Sequence, residues 1–224
     1  MPGEHRKMKK EYWLERWRQE ETGFHQSEIN PYLRQYWREL QIAPGKQVLV
    51  PLCGKSRDMI WLREQDLYVL GVELSALAVQ AFFKENKYSP RHTTIGRFDH
   101  WDADGIHILC GDFFNLEKGD LAEVDAVYDR ASLVALPPEI RSIYADHLLR
   151  ILPPATRILL ITFDYPQAEM SGPPFAVSTG EVETLYGKRT DIRLLAKLDV
   201  LAENPRFQQR GISRLWESIF LLTI

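Results

Sequence analysis

Two neighbouring predicted strands end in residues that could bind a nucleoside. Gln47–Pro51 has the apolar pattern of a strand, Leu52–Ser56 that of a tight loop, and Asp58–Glu64 that of a short helix. A second strand, Tyr68–Val72, ends on Glu73. A carboxylate at the tip of the second strand of such a unit is placed to accept hydrogen bonds from the vicinal hydroxyls of a ribose.

The loop between these strands excludes the common phosphate-binding patterns. It lacks the three glycines of a dinucleotide loop, and a triphosphate loop ending at Gly54-Lys55-Ser56 would need a glycine where Leu49 stands. The single glycine, Gly54, suits a nucleoside without phosphates that carries a sulfonium and an amino acid tail. The alternative is an ordinary strand–helix turn.

Two further strand ends carry candidate residues. Asp112 follows the third predicted strand and is placed to bind an adenine amino group, with Phe113 covering the ring. The alternative is a turn aspartate beside core aromatic residues. Asp129 and Arg130 close the fourth strand, at the crevice where open sheets bind ligands, unless they form a surface ion pair.

The remaining elements predict the fold that positions these residues. Five strands alternate with helices, and a closing hairpin follows, which predicts a doubly wound, mostly parallel, seven-stranded α/β sheet with an antiparallel last strand. The later strands are Ile106–Cys110, Asp125–Tyr128, Ile158–Phe163, Arg193–Val200 and Leu215–Thr223. Residues 11–42 are predicted to form a helical extension, and the polar residues 88–105 an excursion from the sheet.

Composition excludes several classes of protein. The 224 residues form one large or two small domains, and a net charge of −3 gives no basic surface for nucleic acid or anionic membranes. Cys53 and Cys110 make no disulfide framework, which favours a reduced, cytoplasmic setting. No apolar run approaches the roughly 20 residues of a membrane span. Met1–Lys10 lacks the apolar stretch of a signal peptide and is predicted to be a solvated tail.

A metal site is not expected. Three histidines and three aspartates cluster in the sequence, but no pair shows a ligand spacing on a regular element. They are His92, His100, His107, Asp99, Asp102 and Asp104.

Five short motifs together resemble one enzyme family. They are Trp13-x-x-x-Trp17, Pro51-Leu52-Cys53-Gly54-Lys55, Gly71-Val72-Glu73, Asp129-Arg130-Ala131 and Gly172-Pro173-Pro174-Phe175. The chain resembles the thiopurine S-methyltransferases, particularly the bacterial members. The resemblance implies a Rossmann-like class I methyltransferase fold and S-adenosylmethionine as cofactor, with S-adenosylhomocysteine as its product.

The resemblance also implies roles for individual residues. Trp13, Trp17, Leu52, Glu73 and Arg130 would contact S-adenosylmethionine, with Asp112 and Phe113 at the adenine. Phe24 and Arg206 would border the acceptor pocket. We expect one domain of residues 1–224, with residues 1–42 as a helical lid on a core of residues 43–224, and a monomer.

Physical reasoning adds a mechanism in which a thiolate or thione sulfur displaces the methyl group in line. Phe24 and the turn containing Pro174 and Phe175 would exclude water from the site. His25, beside Phe24, would touch the acceptor or serve only for capping or packing. Arg130 and Arg206 would stabilise an anionic acceptor, and Asp129 is the candidate general base, with a water molecule as the alternative.

Other functions stay open at this stage. A chain of this fold could methylate selenium or tellurium oxyanions, halides or other thiols, and would then serve metalloid resistance rather than detoxification of xenobiotic thiols. A non-catalytic S-adenosylmethionine sensor would carry the same cofactor residues. An oxidoreductase is disfavoured because the phosphate-binding glycines are missing.

Overall fold

The described part of the chain contains nine strands and eight α-helices. The computed structural model describes residues 2–21 and 25–224, with residues 2–9 described through their backbone alone. The α-helices are α1 (Pro2–Arg18), α2 (Pro31–Tyr36), α3 (Asp58–Glu64), α4 (Ala76–Glu85), α5 (Ser132–Ala135), α6 (Pro138–Ile151), α7 (Thr179–Tyr186) and α8 (Pro205–Gln209). Short 3-10 helices span Trp37–Leu40, Phe113–Asn115, Lys118–Leu121 and Gln167–Glu169.

The strands form one mixed sheet. They are β1 (Gln47–Pro51), β2 (Tyr68–Glu73), β3 (Arg91–Ile95), β4 (Phe98–Ala103), β5 (Ile106–Cys110), β6 (Val124–Arg130), β7 (Arg157–Asp164), β8 (Asp191–Asp199) and β9 (Trp216–Thr223). Their order is β3-β4-β5-β2-β1-β6-β7-β9-β8. Strands β5, β2, β1, β6 and β7 are parallel, and β9 runs antiparallel to both β7 and β8. The seven predicted strands and the antiparallel last strand are therefore confirmed.

The polar residues 88–105 form two additional strands. β3 and β4 make an antiparallel hairpin, and β4 pairs with β5, so the hairpin extends the sheet at that edge. All five side chains of β3 are exposed, and Phe98 is the only buried residue of β4. Backbone hydrogen bonds thus build this hairpin almost without apolar burial, which is why its sequence did not predict strands.

The N-terminal helical segment differs in detail from the prediction. α1 begins at Pro2 rather than near residue 11, and the chain then leaves the helix before α2. Asn30 caps α2 as predicted, because its side chain accepts hydrogen bonds from the backbone N–H groups of Tyr32 and Leu33. The prediction of a solvated tail is wrong for Lys10, which forms an ion pair with Asp112.

A hydrophobic core lies on each face of the sheet. One core packs α6 and α7 against the sheet, and the other packs α2, α3 and α4 against it. Burial on both faces explains the almost purely apolar central strands. Among the described residues, no helix has the length and apolar character needed to cross a membrane. The carboxyl ends of β1, β2, β5 and β6 meet at one edge, where the candidate residues gather.

Candidate functional site

Glu73 is held in place by the loop that follows β1. The backbone N–H of Gly54 donates to its Oε2 at 2.8 Å, and the backbone N–H of Ser75 donates to its Oε1 at 2.7 Å. Burial raises the pKa of Glu73, and the hydrogen bonds from the backbones of Ser75, Gly54 and Leu74 oppose that rise. A carboxylate oxygen can accept more than one hydrogen bond, so Glu73 can also accept one from a ribose hydroxyl.

Trp17 covers this loop from α1. The indole is 8% exposed, and a Cβ added to Gly54 would lie 3.3 Å from its Cζ2 atom. Gly54 also has a φ of +53°, a conformation that favours glycine. Leu52 has a φ of +47° and packs against the core, so the loop is tightly bent at two positions. Trp13 lies one helical turn before Trp17, with its ring centroid 5.3 Å from that of Tyr12.

Arg130 is fixed by a buried carboxylate that the sequence did not identify. Asp58 is fully buried at the start of α3, and its Oδ2 accepts a hydrogen bond from Arg130 at 2.8 Å and one from the Tyr128 hydroxyl at 3.0 Å. Its Oδ1 accepts the backbone N–H of Asn30 at 2.8 Å. Burial alone would lower the pKa of Arg130, but Tyr128 and Asp58 raise it, so the guanidinium stays charged. Only the first-turn position of Asp58 hinted at this role.

Asp112 lies where the sequence predicted it, at the end of β5, but with an unexpected partner. Its Oδ2 receives the ammonium group of Lys10 from α1, and its Oδ1 accepts the backbone N–H of Phe114 at 3.1 Å. The side chain of Asp112 is 12% exposed. The ion pair ties α1 to the carboxyl edge of the sheet.

Two predicted site residues belong to the core instead. Phe113 is 2% exposed, and its ring lies 4.8 Å from that of Tyr144, which supports the alternative of a core aromatic residue. Asp129 is fully buried, and its Oδ2 accepts the Tyr144 hydroxyl at 2.7 Å. Burial raises the pKa of Asp129 to about 6. Its carboxylate faces the core and links β6 to Tyr144 of α6. Asp129 is therefore placed to stabilise the packing of these two elements rather than to contact an acceptor.

The described acceptor residues of the prediction come from two segments, the turn at Pro174 and Phe175 and the helix α8. The turn with Pro174 and Phe175 is anchored by a hydrogen bond from the Tyr165 hydroxyl to the Pro174 carbonyl at 2.6 Å, and by one from the Phe175 N–H to the Val134 carbonyl at 2.7 Å. Arg206 is exposed on α8. Phe24 lies outside the described residues.

His25 is partly exposed and lies near two cations of the site. Burial lowers its pKa, and the positive charges of Lys55 and Arg130 lower it further, while Glu85 opposes them. Its imidazole is therefore neutral near pH 7.

Arg141 is a buried support for the turn at Phe175. Its side chain is 1% exposed, and it donates to the Leu136 carbonyl at 2.8 Å and to Glu181 at 2.6 Å. The guanidinium carbon lies 5.8 Å from the centre of the Phe175 ring, a cation–π distance. α6, α7 and this turn are therefore held together by one side chain.

The histidine-rich hairpin offers no metal site within the part of the chain whose side chains are described. No group of three or more His, Cys, Asp or Glu residues there could hold a metal ion. His100 Nδ1 and His107 Nε2 lie 3.1 Å apart and face each other across β4 and β5.

Sequence comparisons match this chain to a known family. The family model for thiopurine S-methyltransferase matches residues 8–224. A thiopurine S-methyltransferase of Nitrosospira multiformis is 83% identical over 215 residues, which cover 96% of this chain and 98% of that protein. A thiopurine S-methyltransferase of Azotobacter vinelandii is 48% identical over 215 residues, which cover 96% of this chain and 99% of that protein.

Two solved methyltransferase structures share this fold at low sequence identity. One is the 1,6-didemethyltoxoflavin-N1-methyltransferase of Burkholderia thailandensis bound to 1,6-didemethyltoxoflavin and S-adenosylhomocysteine, with a TM-score of 0.67, 14% identity and coverage of 100% of this chain and 90% of that chain. Another is a phosphoethanolamine N-methyltransferase of Haemonchus contortus bound to S-adenosylmethionine. Its TM-score is 0.59 at 11% identity, and the match covers 85% of this chain and 51% of that chain. These structures establish the Rossmann-like class I methyltransferase fold.

The family model and the sequence relatives both span nearly the whole chain, and their cofactor is a nucleoside of the kind that the loop around Glu73 can hold. The protein belongs to the thiopurine S-methyltransferase family, whose members are S-adenosylmethionine-dependent methyltransferases.

Proposed function

We propose that this protein transfers the methyl group of S-adenosylmethionine to the sulfur of an aromatic or heterocyclic thiol such as 6-mercaptopurine. The observation that carries the proposal is the position of Arg130, a fixed cation at the carboxyl edge, beside the loop that holds Glu73. Membership of the thiopurine S-methyltransferase family supports the same reaction. The product from the cofactor is S-adenosylhomocysteine.

The residues at the edge fit this cofactor. Glu73 binds the two ribose hydroxyls through its carboxylate oxygens. Gly54 has no side chain, which lets Trp17 pack closely over the loop, where an indole face attracts a sulfonium. Trp13 lies one helical turn before Trp17 on α1. Asp112, at the end of β5, accepts a hydrogen bond from the adenine amino group.

The acceptor lies on the other side of Arg130. S-adenosylmethionine supplies an electrophilic methyl group, so the chain itself mainly provides positioning and dehydration. Arg130 and Arg206 attract an anionic sulfur, His25 borders the pocket, and Pro174 with Phe175 closes it. We keep Phe24 in this pocket as a proposal from the sequence.

The wider setting is also a proposal. The chain forms a single domain in which residues 1–42 act as a lid, and it works as a cytoplasmic monomer that detoxifies xenobiotic thiols. Support for the lid comes from α1, which places Trp17 over Gly54 and Lys10 beside Asp112. No basic surface suggests nucleic acid as a partner, since the net charge is −3.

The test is transfer of a labelled methyl group from S-adenosylmethionine to 6-mercaptopurine, with selenite, tellurite and iodide assayed in parallel. We expect label in methylated thiopurine, and its loss in Glu73→Ala but not in Glu123→Ala, an exposed control. Label only in a volatile product would assign the protein to metalloid or halide methylation and metalloid resistance. Tight cofactor binding by calorimetry without any labelled product would identify a sensor.

A further inference from the structure

Glu217 is a nearly buried acid on the same sheet face as Arg130. Arg130 pairs with Ile161 on β7, and Ile161 pairs with Ile219 on β9. Paired residues share a face, and Glu217 stands two positions from Ile219, so its side chain also points to that face. Glu217 pairs with Phe163 close to the carboxyl end of β7, and it is 8% exposed.

Charged and titratable groups from three segments act on Glu217. Tyr32 of α2 interacts with its carboxylate, Arg130 of β6 attracts it, and Glu203, in the turn before α8, repels it. On β8, Lys197 pairs with Ser218 and therefore lies on the opposite face of the sheet, where its ammonium is 3.7 Å from Asp164. Glu217 therefore lies between the fixed cation of the site and the segment that carries Arg206.

The proton affinity of this group suits acid–base chemistry. Burial raises the pKa of Glu217 to about 7, and the interactions with Tyr32 and Arg130 limit the rise. Burial and the charge of Glu217 raise the pKa of Tyr32 to about 12, so the phenol stays neutral and can donate to the carboxylate. A carboxyl group that titrates near neutral pH beside a ligand site is typical of a general base.

We propose that Glu217, oriented by Tyr32, accepts the proton of the acceptor thiol. The inference rests on the proposed function. The acidic proton of the neutral acceptor, on sulfur in a thiol or on a ring nitrogen in a thione, passes to a carboxylate oxygen of Glu217, and an electron pair on sulfur forms the new S–C bond. The bond between the methyl carbon and the sulfonium breaks, and its electrons stay on that sulfur as a neutral thioether. The proton then leaves Glu217 for solvent.

Comparing a protonated thiol with an ionised one distinguishes a general base from a residue that only supports the structure. We would assay Glu217→Gln with 6-mercaptopurine below its own pKa and with 5-thio-2-nitrobenzoate, which is ionised at the same pH. Loss of a general base should lower kcat/KM for the protonated thiol by about 100-fold or more. The ionised thiol needs no base and should lose about threefold at most. An equal loss for both thiols, or no loss for either, would overturn the proposal.

The uptake of a proton when the thiol binds can be measured without any methyl transfer. In the complex with S-adenosylhomocysteine at pH 8, the arriving thiolate should drive Glu217 to take up close to one proton, since two anions would otherwise be buried together. Calorimetry in buffers of different ionisation enthalpy measures that uptake. We expect it in the wild type and not in Glu217→Gln. Equal uptake in both proteins would contradict the role of Glu217.

Two further variants complete the test. Tyr32→Phe removes the phenol that lowers the pKa of Glu217, so the rise of kcat/KM with pH should move to higher pH. Glu203→Gln alters an exposed neighbour and should leave kcat/KM for both acceptors within about twofold of the wild-type value, because solvent screens its charge.

A wild type that binds the thiols and exchanges the proton but transfers no methyl group would refute the proposed function alone. A wild type that binds neither thiol would refute both proposals.

Discussion

Lys10 on α1 forms an ion pair with Asp112, which lies 102 residues later at the end of β5. The pair joins the helix that carries Trp17 to the edge of the sheet that carries the cofactor residues. Its lysine side chain is 35% exposed, so the interaction is partly screened by solvent.

Lys10→Ala should loosen α1 and weaken the binding of S-adenosylhomocysteine by about two- to fivefold, the size expected of a partly exposed ion pair. Calorimetry at low and high salt measures the effect, which should shrink as salt increases. Arg18→Ala is the control. Among the residues whose side chains are described, Arg18 forms an ion pair only with Glu15 of the same helix, so its removal leaves the contact between α1 and the sheet unchanged. Tighter binding by Lys10→Ala would mean that the lysine competes with the adenine.

Gly54 and Gly96 offer a matched pair of substitutions. Both have a positive φ, of +53° and +63°, so alanine introduces similar backbone strain at each. Only at Gly54 does the new Cβ meet another side chain, Trp17, whereas nothing lies within 4 Å at Gly96. Gly54→Ala should weaken cofactor binding by about fivefold or more, the value of one lost aromatic contact. Equal affinity in the two variants would show that Trp17 does not contribute.

Asp58→Asn tests the buried partner of Arg130. Removing one charge from a buried ion pair leaves the other uncompensated, so the free energy of unfolding should fall by about 3 kcal/mol. The matched control is Asp146→Asn, which breaks an ion pair between Arg189 and an aspartate whose side chain is 71% exposed. That change should cost about 1 kcal/mol or less. Urea denaturation compares the two, and similar losses would contradict the importance of burial.

Glu217→Gln has a pH-dependent effect on stability that does not involve catalysis. The pKa of Glu217 is raised from 4.5 to about 7 in the folded state, so the folded protein binds this proton more tightly than the unfolded chain. Its contribution to stability is therefore present at low pH and lost as pH rises through 7. Between pH 4.5 and 8 the wild type should lose about 3 kcal/mol that the variant keeps. Urea denaturation across this range measures the free energy of unfolding of the wild type and Glu217→Gln, with Glu123→Gln as an exposed control. If Glu217 titrated normally, the free energies of the wild type and Glu217→Gln would change with pH in parallel.

The position of the residues proposed to bind the cofactor was predictable from the sequence because they lie in one local unit. The loop after β1 and Glu73 at the end of β2 belong to one strand–helix–strand unit, and apolar strands with a single glycine identify it. Arg130 was predictable for the same reason, since it ends an apolar strand. The roles of Phe113 and Asp129 depend on which face each side chain occupies at a strand end, and sequence spacing does not determine that.

The acceptor side was largely not predictable because its residues are distant in the chain. Tyr32 and Glu217, which we propose for this side, meet only through the order of the strands, and in the sequence Glu217 looks like an ordinary polar residue of a strand. Lys10 was missed because the first ten residues contain few apolar side chains and so show no helical pattern. The hairpin of β3 and β4 was missed because backbone pairing rather than burial defines it.

The sheet order also determines when the site can exist during protein synthesis. β6 pairs with β1 although four strands lie between them in the sequence, and Asp58 meets Arg130 across 72 residues. A nascent chain that has emerged only through β5 contains Glu73 and Gly54 but not the arginine that shares their edge. Contacts of such long range form late in folding. A cofactor that contacts Arg130, as we propose, stabilises only chains that have placed β6 against β1, and it favours the complete fold over its intermediates.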